Sequence, residues 1–333
     1  MEAIMTKIKS ILFATDYSRC ASQALRHALS LAERYDAVLE LVHVIRLSDE
    51  IPVAMYDYYA PYMMSAGSAD QLDVVFEGLK SSSEAHMEKW LEEHSVKKDS
   101  IKHSHIDGAS IAPAIVEHAK EHEFDLIIIG THGYRGIKHL FLGSVAEEVV
   151  RSAHCPVYTY REHEEDEPCN KIGKILVPVD FSEFSKSTLK RSKQLAADFD
   201  ASLEVLYVME TIAQPTFYGT ENYVTQIMSR KTVHGYDDTL SELKAFYKNA
   251  GGPSTAVNFH ILEGDPASSI LRFAKDGAVD LIFIATHGLT GLEHFLLGSV
   301  TERVVRQSPC AVFTLKPFEG KTEAGRKEGE DKS

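Results

Sequence analysis

One stretch of this chain occurs twice. Residues 125–160 read DLIIIGTHGYRGIKHLFLGSVAEEVVRSAHCPVYTY, and residues 280–315 read DLIFIATHGLTGLEHFLLGSVTERVVRQSPCAVFTL. The two align without a gap at a constant offset of 155. Self-similarity over a whole segment marks a duplicated domain, so every further reading must be made twice.

Within one copy, Leu126–Ile129 is a short, β-branched apolar run, which reads as a strand buried on both faces. Gly130, Gly133 and Gly136 then form a glycine-rich turn. From Ser144 a helical period begins, with Val145, Val149 and Val150 apolar and Glu147 and Glu148 near the start, where the helix dipole favours acid. Cys155–Tyr160 reads as another strand. A strand, a glycine loop and a helix start together make a cradle for phosphate, because unpaired N–H groups face outward and no Cβ obstructs approach.

The preceding segments also repeat. Lys9–Thr15 and Lys174–Val179 read as first strands, ending at Asp16 and Asp180. Ser18 is a helix N-cap candidate, followed by Ala21, Ala24, Leu25 and Ala28 at helical spacing. Residues 37–45 and 201–208 read as second strands, and 101–107 as the third of the first repeat. Pro266, after Gly264 and Asp265, suits a helix first turn. Each repeat thus reads β-α-β-α-β-α-β-α-β, an α/β pattern that gives a parallel sheet covered on both faces. Residues 48–83, with Pro52, Pro61 and several tyrosines, read as a loop leading into a helix through Leu91; residues 210–235 form a similar excursion. Either excursion serves as a lid or partner surface, or simply packs on its own domain. Residues 163–170 read as a charged linker and 319–333 as a disordered tail with almost no apolar residues. The expected units are 1–162 and 171–318.

The net charge of −14 argues against a general nucleic-acid surface and against adsorption to anionic membranes. No apolar run approaches the ~20 residues of a membrane span. Four cysteines are too few for a disulfide framework, so a reduced, cytoplasmic setting is expected.

The spacing Gly130-x2-Gly133-x9-Gly143-Ser144, with its GSV-x-E-x-VV-R helix, resembles the nucleotide-binding pattern of the universal stress protein family, G-x2-G-x9-G-S/T. The Thr15-Asp16-Tyr17-Ser18 and Val179-Asp180-Phe181-Ser182 turns resemble it too, so the resemblance covers both repeats. It implies two tandem doubly wound domains, Rossmann-like and similar to adenine nucleotide alpha hydrolases, each a five-stranded parallel sheet of order 3-2-1-4-5. It implies ATP as ligand, with Mg²⁺ carried by the nucleotide rather than by protein side chains. Asp16 would meet the adenine, with the Ala14 and Val44 backbones near the base. Gly130, Thr131, His132, Gly133, Arg135, Gly136, Gly143, Ser144 and Val145 would surround ribose and phosphates. The alternative for Asp16 is a turn or capping residue. In repeat two the matching second site is Pro178, Asp180, Val208, Ala285, Gly288, Gly291, Gly298, Ser299 and Val300. There Ala285 replaces Gly130, and Thr290 and Glu293 replace Arg135 and Lys138, which makes it the weaker anion site.

His132, His139, His287 and His294 suit structural roles as well as ligand contact. His103 and His105 alternate on one strand without a cysteine or carboxylate at metal-ligand spacing. No G-x4-G-K-S/T loop and no G-x-S-x-G elbow is present, which argues against a fast enzyme. The resemblance therefore implies an ATP-binding stress-response regulator acting on an unknown protein partner. A nucleotide-independent interaction module and a slow ATPase are the competing readings. Family members pair through the last strand, so the two repeats are expected to pair within one chain; homodimerisation is left open.

Overall fold

The computed structural model describes residues 8–45, 69–96, 101–107, 110–131, 143–162, 172–210, 236–286 and 297–316. The linker at 163–170 and the tail at 319–333 lie outside them, as does most of each excursion.

The first repeat contains β1 (Ser10–Ala14), α1 (Arg19–Tyr35), β2 (Val38–Ile45), α2 (Ala69–Glu93), β3 (Lys102–Asp107), α3 (Ile111–Glu121), β4 (Leu126–Gly130), α4 (Ser144–Ser152) and β5 (Val157–Tyr160). The second contains β6 (Lys174–Val179), α5 (Glu183–Phe199), β7 (Ser202–Met209), α6 (Tyr236–Asn249), β8 (Val257–Glu263), α7 (Pro266–Asp276), β9 (Leu281–Ala285), α8 (Ser299–Gln307) and β10 (Ala311–Leu315). One expectation is corrected here: the helix ending near Leu91 begins at Ala69, inside the stretch read as loop. Gly78 and the Ser81–Ser83 run carry turn propensity, but packing of Met87, Trp90 and Leu91 against the core outweighs it.

The ten strands form one sheet in the order β3-β2-β1-β4-β5-β10-β9-β6-β7-β8. Strands are parallel within each repeat, and β5 meets β10 antiparallel. The join therefore closes one edge of each half-sheet, and the carboxyl ends of the two sets of strands point to opposite ends of the sheet. The join has a near-twofold character in its side chains. Thr159 Oγ1 donates to the Val312 carbonyl at 3.3 Å, and Thr314 Oγ1 donates to the Val157 carbonyl at 3.1 Å. Tyr35 donates to Asp198 at 2.9 Å, while Arg34 lies 5.8 Å above the Phe199 ring.

Both faces are covered, as continuous apolar strands require. Phe13, Ile128, Tyr158, Phe283 and Phe313 pack on the α1, α2, α5 and α6 side. Leu12, Ile127, Val157, Ile282 and Val312 pack on the α3, α4, α7 and α8 side. At the opposite ends of the strands Asp125 accepts from the Lys9 and Ser10 amides at 2.9 and 3.1 Å. Asp280 repeats this with Gly173 and Lys174 at 2.9 and 2.8 Å.

Candidate nucleotide crevice

In repeat one, β1 and β4 are neighbours, with Ala14 opposite Ile129. From β1 the chain turns to α1 on one face, and from β4 it reaches α4 on the other. That reversal opens a crevice beyond the strand ends, the usual place for ligands in an open α/β sheet.

The β1–α1 turn forms one wall. Thr15 Oγ1 accepts from the Tyr17 amide at 3.1 Å, and Asp16 Oδ1 accepts from the Ser18 amide at 3.1 Å. These bonds accompany a left-handed Tyr17, φ 61°, which a non-glycine residue adopts only when its surroundings hold it. Ser18 then caps α1, accepting from the Ala21 amide at 3.2 Å. Asp16 is therefore a turn residue, and it is also exposed at the crevice. The Val42 carbonyl accepts from the Thr15 amide. By strand alternation the backbone groups of Val44 face the same way, past the end of β1.

The glycine frame forms the other wall. The Thr131 amide donates to the Tyr160 carbonyl, and the Gly143 amide donates to the Thr131 carbonyl, both at 2.7 Å. Thr131 is thus tied to Tyr160 through its amide and to Gly143 through its carbonyl. A Cβ at Gly143 would lie 2.9 Å from the Thr131 oxygen, so this position needs glycine for close approach, not for its φ of −63°. Gly143 is also the N-cap of α4 and has no side chain to accept from the first-turn amides. In α1, α5 and α7 a serine or aspartate does accept them. Ser144 is exposed and Val145 half-buried at this bare helix start. His132, Gly133, Arg135 and Gly136 lie outside the described residues, as do Lys138 and His139.

Repeat two builds the same frame with four differences. Gly298 donates to the Thr286 carbonyl at 2.8 Å and N-caps α8, where Ser299 and Val300 begin the helix. Ala285 stands for Gly130, whose φ is not left-handed and whose added Cβ would face Cys20 Sγ at 3.0 Å. The methyl group is therefore directed at the first helix of the repeat. Second, Ser185 stands where repeat one has Ala21, and its hydroxyl donates to Asp180 Oδ1 at 2.5 Å, beside the 3.1 Å bond from the Ser182 amide that repeats the Asp16 turn. Third, Pro178 has no N–H to give, and β6 and β9 are in register only at Ile175–Leu281 and Leu176–Ile282. In repeat one the equivalent ladder runs on to Ala14. Val208 occupies the place of Val44; Gly288 and Gly291 lie outside the described residues.

Fourth, Arg303 replaces Glu148 and was not among the expected site residues. It lines a hollow of about 350 Å³ with Gly264, Asp265, Ser299 and Val300. Its guanidinium donates to Asp265 Oδ2 at 2.9 Å and to Ser268 Oγ at 3.1 Å. The hydrogen bond from Arg303, with those from Ser268, lowers the Asp265 carboxyl to about 2. A basic residue opposite a capping aspartate was readable as a charge change between the repeats, though not as a contact.

Among the described residues no group of three His, Cys, Asp or Glu side chains is placed to hold a metal ion, and no helix is long and apolar enough to cross a membrane.

A sequence model of the Universal stress protein family matches residues 7–161 and again residues 171–316. A universal stress protein of Methanocaldococcus jannaschii is 32% identical over 150 residues, which is 44% of this chain and 84% of that one. Among solved structures, a universal stress protein from Archaeoglobus fulgidus aligns over 93% of this chain and 99% of its own, with a TM-score of 0.59 at 20% identity. A putative universal stress protein from Pseudomonas aeruginosa aligns over 95% of both chains, with a TM-score of 0.60 at 20% identity. At that identity the two structures speak for the fold alone.

Proposed function

This chain belongs to the universal stress protein family, and from that premise we propose that it binds an adenine nucleotide, ATP foremost, chiefly in the crevice of repeat one. The observation that carries this reading is the glycine-capped start of α4 set across the switch point from the Asp16 turn. Main-chain donors with no side-chain cap suit phosphate, and a carboxylate at the other wall suits the exocyclic amine of adenine. Ala14 and Val44 flank the base. Gly130, Thr131, His132, Gly133, Arg135, Gly136, Ser144 and Val145 take ribose and phosphates, and Mg²⁺ arrives with the nucleotide.

Residues 1–162 and 171–318 act as two units of one cytoplasmic regulator of the stress response. Bound nucleotide alters the surface offered to a protein partner. Repeat two acts chiefly as scaffold. The Ser185 hydroxyl donates to the Asp180 oxygen that its turn uses, where repeat one has Ala21, which favours a nucleotide-independent role for that half.

Acid extraction of the purified protein, followed by chromatography of the released small molecules, tests this. Co-purified ATP or ADP, or uptake of added ATP, is the expected result. Protein that carries no adenine nucleotide and takes up none overturns the reading.

A further inference from the structure

The β1–α1 turn of repeat one is covered by an imidazole cluster that the described residues of repeat two do not repeat. The Tyr17 ring lies 4.6 Å from His43 of β2, 4.6 Å from His86 of α2, and 5.7 Å edge-on from Trp90 of α2. His43 is 6.2 Å from His105, its register partner on β3. In repeat two the same left-handed turn position is Phe181, φ 61°. It packs on Tyr207 at 4.6 Å and on Phe246 at 5.3 Å, and the register partner of Tyr207 is Ile261. The packing is kept, and among the described residues the imidazoles at this turn belong to repeat one.

Their protons are placed by their neighbours. His43 Nδ1 lies 2.9 Å from the Thr15 carbonyl, which only accepts, so Nδ1 carries the hydrogen and Nε2 is where a second proton would go. His105 Nε2 is buried without a hydrogen-bond partner. A proton there would be a charge at an atom removed from water. Burial first, and His43 and His103 after it, hold the His105 imidazole below its ordinary value; Glu84 of α2 and the Ser83 backbone oppose them. Asp16 and Tyr17 are the titratable groups of the turn itself.

We propose that this cluster is a proton-sensitive latch: with His105 neutral α2 is held against the β1–α1 turn, and acidification loosens that contact and weakens nucleotide binding in repeat one. The second half rests on the nucleotide crevice proposed above. The sign follows from the burial of His105. Above its ordinary value near 6.5 it is neutral whether packed or released. As pH falls below that value the released form takes a proton first, so the packed form loses ground until the lower, packed value is reached. His43 links the latch to the crevice, because its hydrogen bond goes to the residue before Asp16.

Trp90 is the only tryptophan in the chain, so its fluorescence reads this contact directly. We would titrate the ligand-free full chain from about pH 7.5 to about pH 5.5. The comparison is with His43→Tyr/His105→Ile, which installs the residues that repeat two carries. His94→Gln serves as control, since His94 lies 4.5 Å from Trp90 and can quench it on its own. The latch predicts a transition in the wild type and in His94→Gln that the double variant loses. A flat wild-type curve, a transition unchanged in the double variant, or one removed by His94→Gln overturns it. If the double variant fails to fold, His105→Gln takes its place, with the same two outcomes. ATP affinity is then measured at both ends of the range. It is expected to fall roughly three- to tenfold on acidification, tenfold per pH unit being the ceiling for one titrating group. Equal affinities overturn the link to binding. No binding at any pH overturns the nucleotide reading instead, and the fluorescence transition still decides the latch.

Discussion

The Gly143 amide donates to the Thr131 carbonyl at 2.7 Å, so one backbone hydrogen bond joins the end of β4 to the start of α4. Gly143→Ala would set a methyl group 2.9 Å from that carbonyl oxygen, a backbone atom that cannot swing aside. Thermal or denaturant unfolding should show a loss of about 1–3 kcal/mol, typical of overpacking. Gly298→Ala meets Thr286 O at 3.1 Å and should cost less. Equal stability of wild type and Gly143→Ala would contradict the close approach.

The side-chain hydrogen bonds of Thr159 and Thr314 cross the join between β5 and β10. Replacing both threonines by valine keeps the shape and removes both bonds. At about 0.5–1.5 kcal/mol each, the double variant should lose about 1–3 kcal/mol in urea unfolding. Nucleotide stoichiometry should be unchanged, because both hydroxyls point across the join rather than into the crevice. An altered stoichiometry would mean that the join shapes the site.

Arg306 of α8 reaches across to Glu147 of α4, with 3.0 Å to each carboxylate oxygen, and holds Glu302 of its own helix at 3.1 Å. Glu147 keeps Arg151 at 2.7 Å when Arg306 is removed. Arg306 is also partly exposed, so Arg306→Ala should cost less than about 1 kcal/mol, and the loss should shrink in high salt. Urea unfolding at two salt concentrations checks both statements.

The parts that could be read from the sequence were those whose cause is local. The start of α4 at Ser144 follows from a glycine-serine step before an apolar period, and the Asp16 and Asp180 turns follow from their repetition. Ala69 as the start of α2 was not legible, because Gly78 and three serines lie in a helix held by distant contacts. Nor was the meeting of His43 with His105, which depends on the register of β2 against β3. The buried glutamates show the same limit. Glu40 takes His118 of α3 at 2.9 Å, whereas Glu204 takes His260 of β8 at 2.6 Å. One histidine partner sits on a helix and the other on a strand, which a linear comparison of the repeats does not pair.

Asp265 should report its partner by titration. Its folded carboxyl lies near 2, below an ordinary 3.8, chiefly because Arg303 donates to it. A depressed carboxyl contributes stability that is present above about pH 4 and lost as pH falls toward 2. Arg303→Ala should move the Asp265 midpoint, followed by NMR, up toward its ordinary value and blunt the acid dependence of unfolding. A midpoint that stays near 2 would assign the shift to Ser268 and the α7 cap instead.

Repeat one is proposed to hold an adenine nucleotide on the bare start of α4. Calorimetric titration with ATP of the wild type, Gly143→Ala and Gly298→Ala tests it most directly. The account predicts about one strong site per chain, lost in Gly143→Ala and kept in Gly298→Ala. No binding to the wild type, or binding lost only in Gly298→Ala, would contradict it.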